Sequence, residues 1–324
     1  MISLIQLGTV DYATGLTLQR QLVALRKEEK IGDVLLLLEH SPVITLGRNA
    51  KAANVVASPE LLTRRGVELF ECDRGGDVTF HGPGQIVGYP IFDLRCYPRA
   101  AANAGSSASP HSSSSLAEAN DELANRSLQP RDFGFTARKT LGVVDFVRRL
   151  EDVLMRTCAD FSIPTKRVLG LTGVWTDPTT AIPNTLSSRA EENDPLADRS
   201  LKSRDLGFSG HPDSKLAAIG VHVSRFVTSH GFALNVNPDL SYFNLIIPCG
   251  ITSKPVTSMQ QELGRALDLN AVAQSISRNF GVVFHSQILW VDTLDALLGR
   301  TVGVPMKPPA ELRQLHKEDD STWA

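Results

Sequence analysis

Cys249 is the first residue whose type and setting suggest covalent chemistry, because it stands between a proline and a glycine. Proline fixes the incoming backbone, and glycine removes a side chain that would shield the sulfur. A thiol displayed in this way is a nucleophile if a nearby base or cation makes it a thiolate, and Lys215, His81, His222 and His230 are the candidates. The residues alone leave a nucleophile and a buried small hydrophobe equally open for Cys249. Taken alone, Lys215 reads as a solvated lysine at a strand end, and His222 and His230 read as structural histidines.

A glycine-rich stretch, residues 74–85, is the second feature that could take part in binding or chemistry. Residues 75, 76, 82 and 84 are glycines, and glycine is kept where a chain bends tightly or where a ligand touches the backbone. An arginine opens the stretch, a histidine lies within it and a glutamine closes it, immediately before an apolar segment that is typical of a strand. We therefore favour a ligand-contacting loop over a hairpin with an incidental histidine. The stretch matches neither the Walker A pattern nor a GxGxxG that opens a helix, so no nucleotide is implied.

The elements that must position these residues follow from hydrophobic periodicity. Strands are predicted at residues 2–7, 33–39, 67–72, 173–177, 215–223 and 229–237, the fifth of them broken at Gly220. Helices are predicted at residues 14–29, 59–65, 141–161, 257–265, 269–280 and 294–298. The last two long strands have a short connection, which predicts an antiparallel hairpin. Because strands and helices are mixed without strict alternation, we expect a mixed or mostly antiparallel sheet with helices packed on it.

Length and composition indicate one large domain with insertions. The chain has 324 residues, and residues 1–300 are predicted to form a single catalytic domain. Polar, low-complexity insertions are expected at about 97–138 and 178–214, because such segments bury too little apolar area to offset their ordering entropy. Residues 301–324 are read as a polar tail.

Charge, cysteine spacing and hydropathy exclude several classes of protein. A formal net charge of -2 provides no positive potential that would attract nucleic acid or an anionic membrane surface. No apolar run is long enough to span a bilayer. The four cysteines form no CxxC pair, so no metal site is expected. The first residues show no secretory signal and no transit peptide. Either there is no transit peptide or the sequence begins after it.

Four blocks of the sequence, in this order, resemble the lipoyl(octanoyl) transferases. The blocks are Arg74–Gln85 (RGGDVTFHGPGQ), Lys215–Gly220 (KLAAIG), His230–Asn235 (HGFALN) and Asn244–Gly250 (NLIIPCG). These enzymes move an octanoyl group from acyl carrier protein to a lysine of a lipoyl domain. The segments 218–222 and 228–231 look most similar to the eukaryotic, mitochondrial branch, so the resemblance implies a mitochondrial location.

The resemblance implies the fold of the biotin and lipoate protein ligases, an α/β (α+β) arrangement around a mixed, mostly antiparallel sheet. It implies that Cys249 and Lys215 are the catalytic pair, with His222 and His230 as possible supporting residues and His81 as a pocket-shaping or polarising group. The implied substrate-binding residues are Arg74, Gly75, Gly76, Asp77, Val78, Thr79, Phe80, His81, Ala218, Ile219, Gly220, Gly231, Phe232 and Ala233. Glycines 75, 76, 220 and 231 would let an acyl chain approach the backbone, and amides near Gly76 or Cys249 would hold an oxyanion.

The implied reaction needs no cofactor, no metal and no ATP, because it exchanges a thioester for an amide. The implied partners are acyl carrier protein, the lipoyl domains of 2-oxoacid dehydrogenase complexes and the glycine cleavage H protein. Two alternatives stay open. One is an ATP-dependent lipoate or biotin protein ligase of the same fold, which would need no nucleophilic cysteine. The other is an inactive protein that only binds lipoyl domains.

Overall fold

The computed structural model describes residues 1–98, 140–178, 213–250 and 254–297, and it describes only the backbone of Cys249, Asp295 and Ala296. The strands are β1 (Ile2–Val10), β2 (Asp33–His40), β3 (Val43–Leu46), β4 (Glu68–Glu71), β5 (Val78–His81), β6 (Gln85–Ile91), β7 (Thr165–Val168), β8 (Leu171–Thr176), β9 (Lys215–Ser224), β10 (Val227–Asn235) and β11 (Ile288–Trp290). The helices are α1 (Tyr12–Lys27), α2 (Pro59–Arg64), α3 (Val143–Asp160), α4 (Met259–Leu263), α5 (Leu269–Phe284) and α6 (Leu294–Leu297).

Within these described residues, eight strands form one large sheet in the order β11-β1-β2-β6-β10-β9-β8-β7. The β11–β1 and β1–β2 pairs are parallel, and the five other neighbouring pairs are antiparallel. A small sheet with the order β4-β3-β5 lies apart from it. The predicted mixed, mostly antiparallel sheet with packed helices is confirmed.

The two faces of the large sheet carry different layers. On one face α3 and α5 cover a core that includes Leu35, Leu37 and Phe232. On the other face α1 covers a core that includes Leu36, Leu38 and Ala233. Because β2 contributes alternate leucines to both cores, it is buried on both faces, as its continuous apolar run predicts.

Strand β9 continues through Gly220, so the predicted break at that position is wrong. Gly220 pairs with Gly231 of β10 in an unbroken antiparallel register. A Cβ at Gly220 would lie 2.5 Å from the carbonyl oxygen of Gly75. The glycine is therefore required by a loop that packs on the strand, and it does not interrupt the strand.

The two expected insertions fall mostly outside the described residues, as does the expected tail at 301–324. The described residues at the ends of the two expected insertions pack against the rest of the domain. Tyr97 is buried and its hydroxyl donates to Asp33 Oδ2 at 2.6 Å. Ser214 is buried and exchanges hydrogen bonds with Thr176, through its backbone N–H to Thr176 Oγ1 and through its carbonyl to the Thr176 N–H. A bridge between Pro98 and Thr140 brings together the two ends that flank residues 99–139.

Candidate active site

Two neighbouring cavities lie between the large sheet and the small sheet. The larger one, here called the channel, encloses about 480 Å³ of space, part of it open to solvent. It is lined by Tyr12, Arg74, Gly75, Gly76, Asp77, Thr79, His81, Val87, Tyr89, Ala218, Ile219, Gly220, His230, Gly231, Phe232 and Ala233. The smaller one, here called the Lys215 cavity, is lined by Thr79, Gln85, Lys215, Ala218, Ala233, Asn235, Phe243, Pro248 and Val256. Because they share Thr79, Ala218 and Ala233, the two cavities adjoin each other.

Small side chains form the floor of the channel. Ala233 of β10 lies opposite Ala218 of β9, and Gly231 lies opposite Gly220. On the other side of β10, Ala233 lies opposite Val87 of β6. In a pleated sheet such cross-strand neighbours face the same side, so these residues leave a shallow apolar space above the sheet.

The glycine-rich loop forms the roof, and Arg74 fixes it from within. The Arg74 guanidinium donates to the Thr45 carbonyl at 2.6 Å, to Thr45 Oγ1 and to its own neighbour's carbonyl at Gly75. The Gly75 N–H donates to the Val221 carbonyl at 3.1 Å. The carbonyl oxygen of Gly75 lies where a Cβ of residue 220 would point. The carbonyl oxygen of Gly88 lies where a Cβ of residue 231 would point. These two glycines are therefore needed for close backbone packing, rather than for the approach of an acyl chain along those directions.

Alternation along β5 divides the predicted substrate-binding residues into two groups. Thr79 and His81 face the channel. Val78 and Phe80 pack in the opposite direction, into the core of the small sheet, where the Phe80 ring stacks on Tyr242 at 4.8 Å. Their predicted contact with substrate does not fit this placement, because successive side chains of a strand point to opposite faces.

His81, Tyr12 and Tyr89 line one side of the channel, and His40 bonds the hydroxyl of Tyr89 from outside it. Burial lowers the pKa of His81 well below its usual range, and the charge of Arg74 acts in the same direction. Burial also lowers the pKa of His40 to about 4. His40 Nδ1 donates to the Val10 carbonyl at 2.7 Å, so Nε2 of the neutral ring accepts from the Tyr89 hydroxyl at 2.6 Å. At pH 7 this side of the channel carries no imidazolium charge against an apolar ligand.

A second histidine, His230, lines the channel from β10 in a left-handed backbone conformation with a φ of 55°. Its backbone N–H donates to Gln19 Oε1 at 2.7 Å, and its Nε2 donates to Asp73 Oδ1 at 2.7 Å. Burial lowers the pKa of His230 although the Asp73 carboxylate opposes this shift. His222 lies beside the same carboxylate at 3.7 Å and accepts from Arg48 at 2.6 Å. The two predicted supporting histidines thus meet at Asp73, and only His230 lines the channel.

Lys215 begins β9 and is 7% exposed. Its backbone N–H donates to the Pro255 carbonyl at 2.8 Å, and its carbonyl accepts from the Thr257 N–H at 3.0 Å. Cys249 lies in a short 3₁₀ turn, Pro248–Gly250, whose last residue has a φ of 66°. Pro248 and Lys215 line the same cavity, so the backbone turn that carries Cys249 is at the Lys215 cavity. The Cys249 side chain lies outside the described part of the structure.

Two buried amides, Gln85 and Asn235, line the Lys215 cavity and were not among the predicted site residues. Gln85 Nε2 donates to Asn235 Oδ1 at 2.8 Å, and Asn235 Nδ2 donates to the Thr257 carbonyl at 2.9 Å. The N–H of Thr257 in turn bonds Lys215, so this chain fixes the start of β9. Tyr12, Val87 and Tyr89 were also missed. The alternation after Gln85 is a signal for Val87 and Tyr89, whereas no local pattern indicates Tyr12.

Among the described residues, no cluster of three or more His, Cys, Asp or Glu side chains has the arrangement of a metal site. None of the helices in the described part of the chain combines the length and hydropathy of a membrane span.

Comparison with solved structures places the fold among the lipoate protein ligases. The bi-partite lipoate protein ligase of Thermoplasma acidophilum superposes with a TM-score of 0.53 at 10% identity, covering 94% of this chain and 98% of that chain. Lipoate-protein ligase A bound with ATP superposes with a TM-score of 0.52 at 12% identity, covering 92% of each chain. At such low identity these similarities establish the fold alone, and they confirm the predicted fold class.

Sequence comparison then identifies the family. Residues 11–104 and 133–281 match the lipoyl protein ligase A/B catalytic domain. The octanoyltransferase of Koribacter versatilis is 49% identical over 98% of both chains, and that of Acidobacterium capsulatum is 44% identical over 92% of this chain and 96% of its own. The chain belongs to the octanoyltransferase family of acyltransferases. The predicted family is confirmed, but these bacterial relatives give no support to the eukaryotic, mitochondrial branch.

Proposed function

We propose that the chain transfers an octanoyl group from acyl carrier protein to a lipoyl-domain lysine through an octanoyl–Cys249 thioester. The observation that carries this proposal is the junction of the two cavities. An acyl chain lying in the channel meets the Lys215 cavity at Thr79, Ala218 and Ala233, where Pro248 also lies. Its carbonyl carbon would therefore stand beside Lys215 and beside the turn that carries Cys249.

In the first half of the reaction, the Cys249 thiol gives its proton to the Lys215 amine and becomes a thiolate. The thiolate attacks the carbonyl carbon of the octanoyl thioester, forming a C–S bond. The bond to the phosphopantetheine sulfur then breaks, and the departing thiolate takes the proton from Lys215, which leaves Lys215 neutral for the second half. The positive charge of protonated Lys215 stabilises the anionic sulfur during this exchange.

In the second half, the ε-amine of the lipoyl-domain lysine attacks the octanoyl–Cys249 thioester. A C–N bond forms, the C–S bond breaks, and Lys215 accepts the proton that the amine loses. Because a thioester is converted into an amide, the step is downhill and we propose that it needs no ATP, other cofactor or metal.

The channel supplies recognition of the acyl chain. At ~0.8 kcal/mol per buried CH₂, burial of the methylene groups of an octanoyl chain supplies roughly 5 kcal/mol. Ala218, Ala233 and Val87 offer the apolar floor for it. Burial keeps His81 neutral, so this imidazole adds no charge beside that chain.

Mass spectrometry of the intact protein tests the covalent mechanism. Incubation with octanoyl-acyl carrier protein, without ATP, should give an octanoyl adduct on the wild type and none on Cys249→Ala. Lys215→Ala should slow adduct formation strongly. An equal adduct on Cys249→Ala would refute the thioester intermediate.

The same assay separates the two alternatives. An ATP-dependent ligase shares the fold, and it would octanoylate a lipoyl domain from free octanoate only when ATP is present. A protein that only binds lipoyl domains would form no adduct under either condition. The identity of the relatives, all named octanoyltransferase, favours transfer from a thioester.

We propose the lipoyl domains of 2-oxoacid dehydrogenase complexes and the glycine cleavage H protein as acceptors. Incubating the acylated enzyme with each purified domain and looking for octanoyl-lysine tests them individually. The mitochondrial location stays a prediction that rests on the resemblance at residues 218–222 and 228–231. Finding the gene on a bacterial chromosome would refute it.

A further inference from the structure

One aromatic ring, that of Trp175 on β8, holds the ammonium groups of two lysines. Lys215 Nζ lies 5.1 Å from the centroid of the ring, and Lys254 Nζ lies 5.7 Å from it. Trp175 is paired with Lys215 in the β8–β9 register and is 1% exposed. Both distances are within the range of a cation–π interaction, which strengthens as the site is desolvated.

The strand that carries Trp175 is also shaped around the stem of Lys215. Two residues before the tryptophan, Gly173 has a φ of 123°, a conformation that favours glycine. A Cβ at this position would lie 3.1 Å from Lys215 Cε and 2.5 Å from the Ala217 carbonyl oxygen. Gly173 therefore leaves the space through which the Lys215 side chain passes to the ring.

Lys254 joins the segment that follows Cys249 to the segment that precedes Lys215. Its Nζ lies 2.9 Å from Asp213 Oδ2, two positions before Lys215. A parallel backbone bridge between Lys215 and Val256 connects the same two segments. Contacts among Trp175, Lys254 and Asp213 thus connect the two proposed catalytic segments where they meet.

We infer that Trp175 and Lys254 are positioning residues for acyl transfer. Trp175 holds the Lys215 ammonium in its cavity, and Lys254 places a second positive charge on the same ring, next to the segment that carries Cys249. This inference rests on the proposed roles of Cys249 and Lys215. Since neither Trp175 nor Lys254 lines the channel among the described residues, the two affect the chemical step and not the binding of the acyl chain.

The first test compares Trp175→Leu with Trp175→Phe, using octanoyl-pantetheine as the donor and a lipoyl domain as the acceptor. Trp175→Leu should lower kcat roughly 30-fold, equivalent to the about 2 kcal/mol of a desolvated cation–π contact, and leave KM for the donor unchanged. Trp175→Phe keeps an aromatic face and should recover most of kcat. An equal loss in both variants, or a loss confined to KM, would overturn the role of the ring.

The second test does not depend on replacing a core residue. It compares Lys254→Gln with Lys166→Gln, because Lys166 Nζ lies 2.9 Å from the other oxygen of Asp213 and 3.4 Å from Asp177. Alkylation of Cys249 by iodoacetamide is followed against pH from the mass of the peptide that contains it. Lys254→Gln should shift the alkylation profile to higher pH and lower kcat, whereas Lys166→Gln should match the wild type. Identical profiles in the two variants would overturn the role of Lys254.

Three variants separate the positioning roles of Trp175 and Lys254 from the proposed function of Cys249. If Cys249→Ala still becomes acylated, the proposed mechanism itself is wrong. If Cys249→Ala is inactive but Trp175→Leu and Lys254→Gln behave as the wild type, only the positioning roles are wrong.

Discussion

The floor of the channel gives a quantitative prediction for how strongly the acyl chain depends on the small side chain at position 233. Ala233 is 4% exposed, lies opposite Ala218 and Val87, and lines both cavities. A larger side chain at this position extends into the space that the methylene groups of the substrate would occupy. Ala233→Val adds two carbon atoms to the floor, and Ala233→Leu adds three.

The expected size of the effect follows from the apolar area that the substrate can no longer bury. If each added carbon displaces one methylene group, the cost is ~0.8 kcal/mol per group, or roughly fourfold in kcat/KM. Ala233→Val should therefore lower kcat/KM for the octanoyl donor roughly 15-fold, and Ala233→Leu roughly 60-fold. Because Ala233 lies at the junction with the Lys215 cavity, where the carbonyl end of the chain would stand, a butyryl donor meets the same side chain and should lose a similar factor.

Acyl-pantetheine donors of four, six and eight carbons give the measurement, with octanoyl- or acyl-lysine on a lipoyl domain as the readout. Ala233→Ser is the matched control, since it adds a single atom to the side chain, and it should lose less than Ala233→Val for every donor. Thermal unfolding of each variant separates a loss of folded protein from a loss of kcat/KM. An unchanged kcat/KM for all three donors in the folded variants would show that the acyl chain does not lie over Ala233.

Three other perturbations test the packing, the buried histidines and the insertion. Gly220→Ala should lower the free energy of unfolding by about 1–3 kcal/mol and impair transfer, because its Cβ would lie 2.5 Å from the Gly75 oxygen; Gly32→Ala, with no atom within 4 Å, should be nearly neutral in the same urea titration. Burial lowers the pKa of His40 to about 4, below the ordinary value of 6.5, so its contribution to stability is retained above pH 6.5 and lost as the pH falls toward 4. The loss should total about 3 kcal/mol, and His40→Asn should show a correspondingly flatter dependence of unfolding free energy on pH. Deletion of residues 105–132, which the family match skips, should leave transfer to a lipoyl domain within a few-fold of wild type, since Pro98 and Thr140 already pair; loss of activity in a folded deletion variant would give the insertion a functional role.

The sequence predicts those parts of the fold whose pattern is local. The β9–β10 hairpin follows from two alternating segments with a short connection, and β2 follows from its unbroken leucines. β7 and β11 were not predicted, since they are four- and three-residue strands at the two edges of the sheet. So short a strand shows too little alternation to be separated from a loop.

The candidate site is predictable only where one segment carries its own signal. The glycine-rich loop is found from its composition, and Thr79 and His81 could have been separated from Val78 and Phe80 by alternation alone. Gly220 was misread because the carbonyl that requires a glycine there belongs to Gly75, far away in the chain. Trp175 was read only as part of a strand for the same reason, since its contact with Lys254 joins distant segments.

The position of Arg74 explains why the glycine-rich loop and the proposed chemistry are separate. A buried guanidinium could be read as a site for an anionic group of the substrate. Its donors, however, are directed to the Thr45 carbonyl and hydroxyl and to the Gly75 carbonyl. The guanidinium N–H groups are therefore engaged by neutral acceptors, and these hydrogen bonds hold β3 of the small sheet against the loop. The loop therefore acts as a fixed roof over the floor that β9 and β10 provide, while Lys215 and the turn at Cys249 stand where that covered space ends. An apolar chain placed under this roof would reach the Lys215 cavity at Thr79, Ala218 and Ala233, so the roof sets the direction in which the thioester is presented.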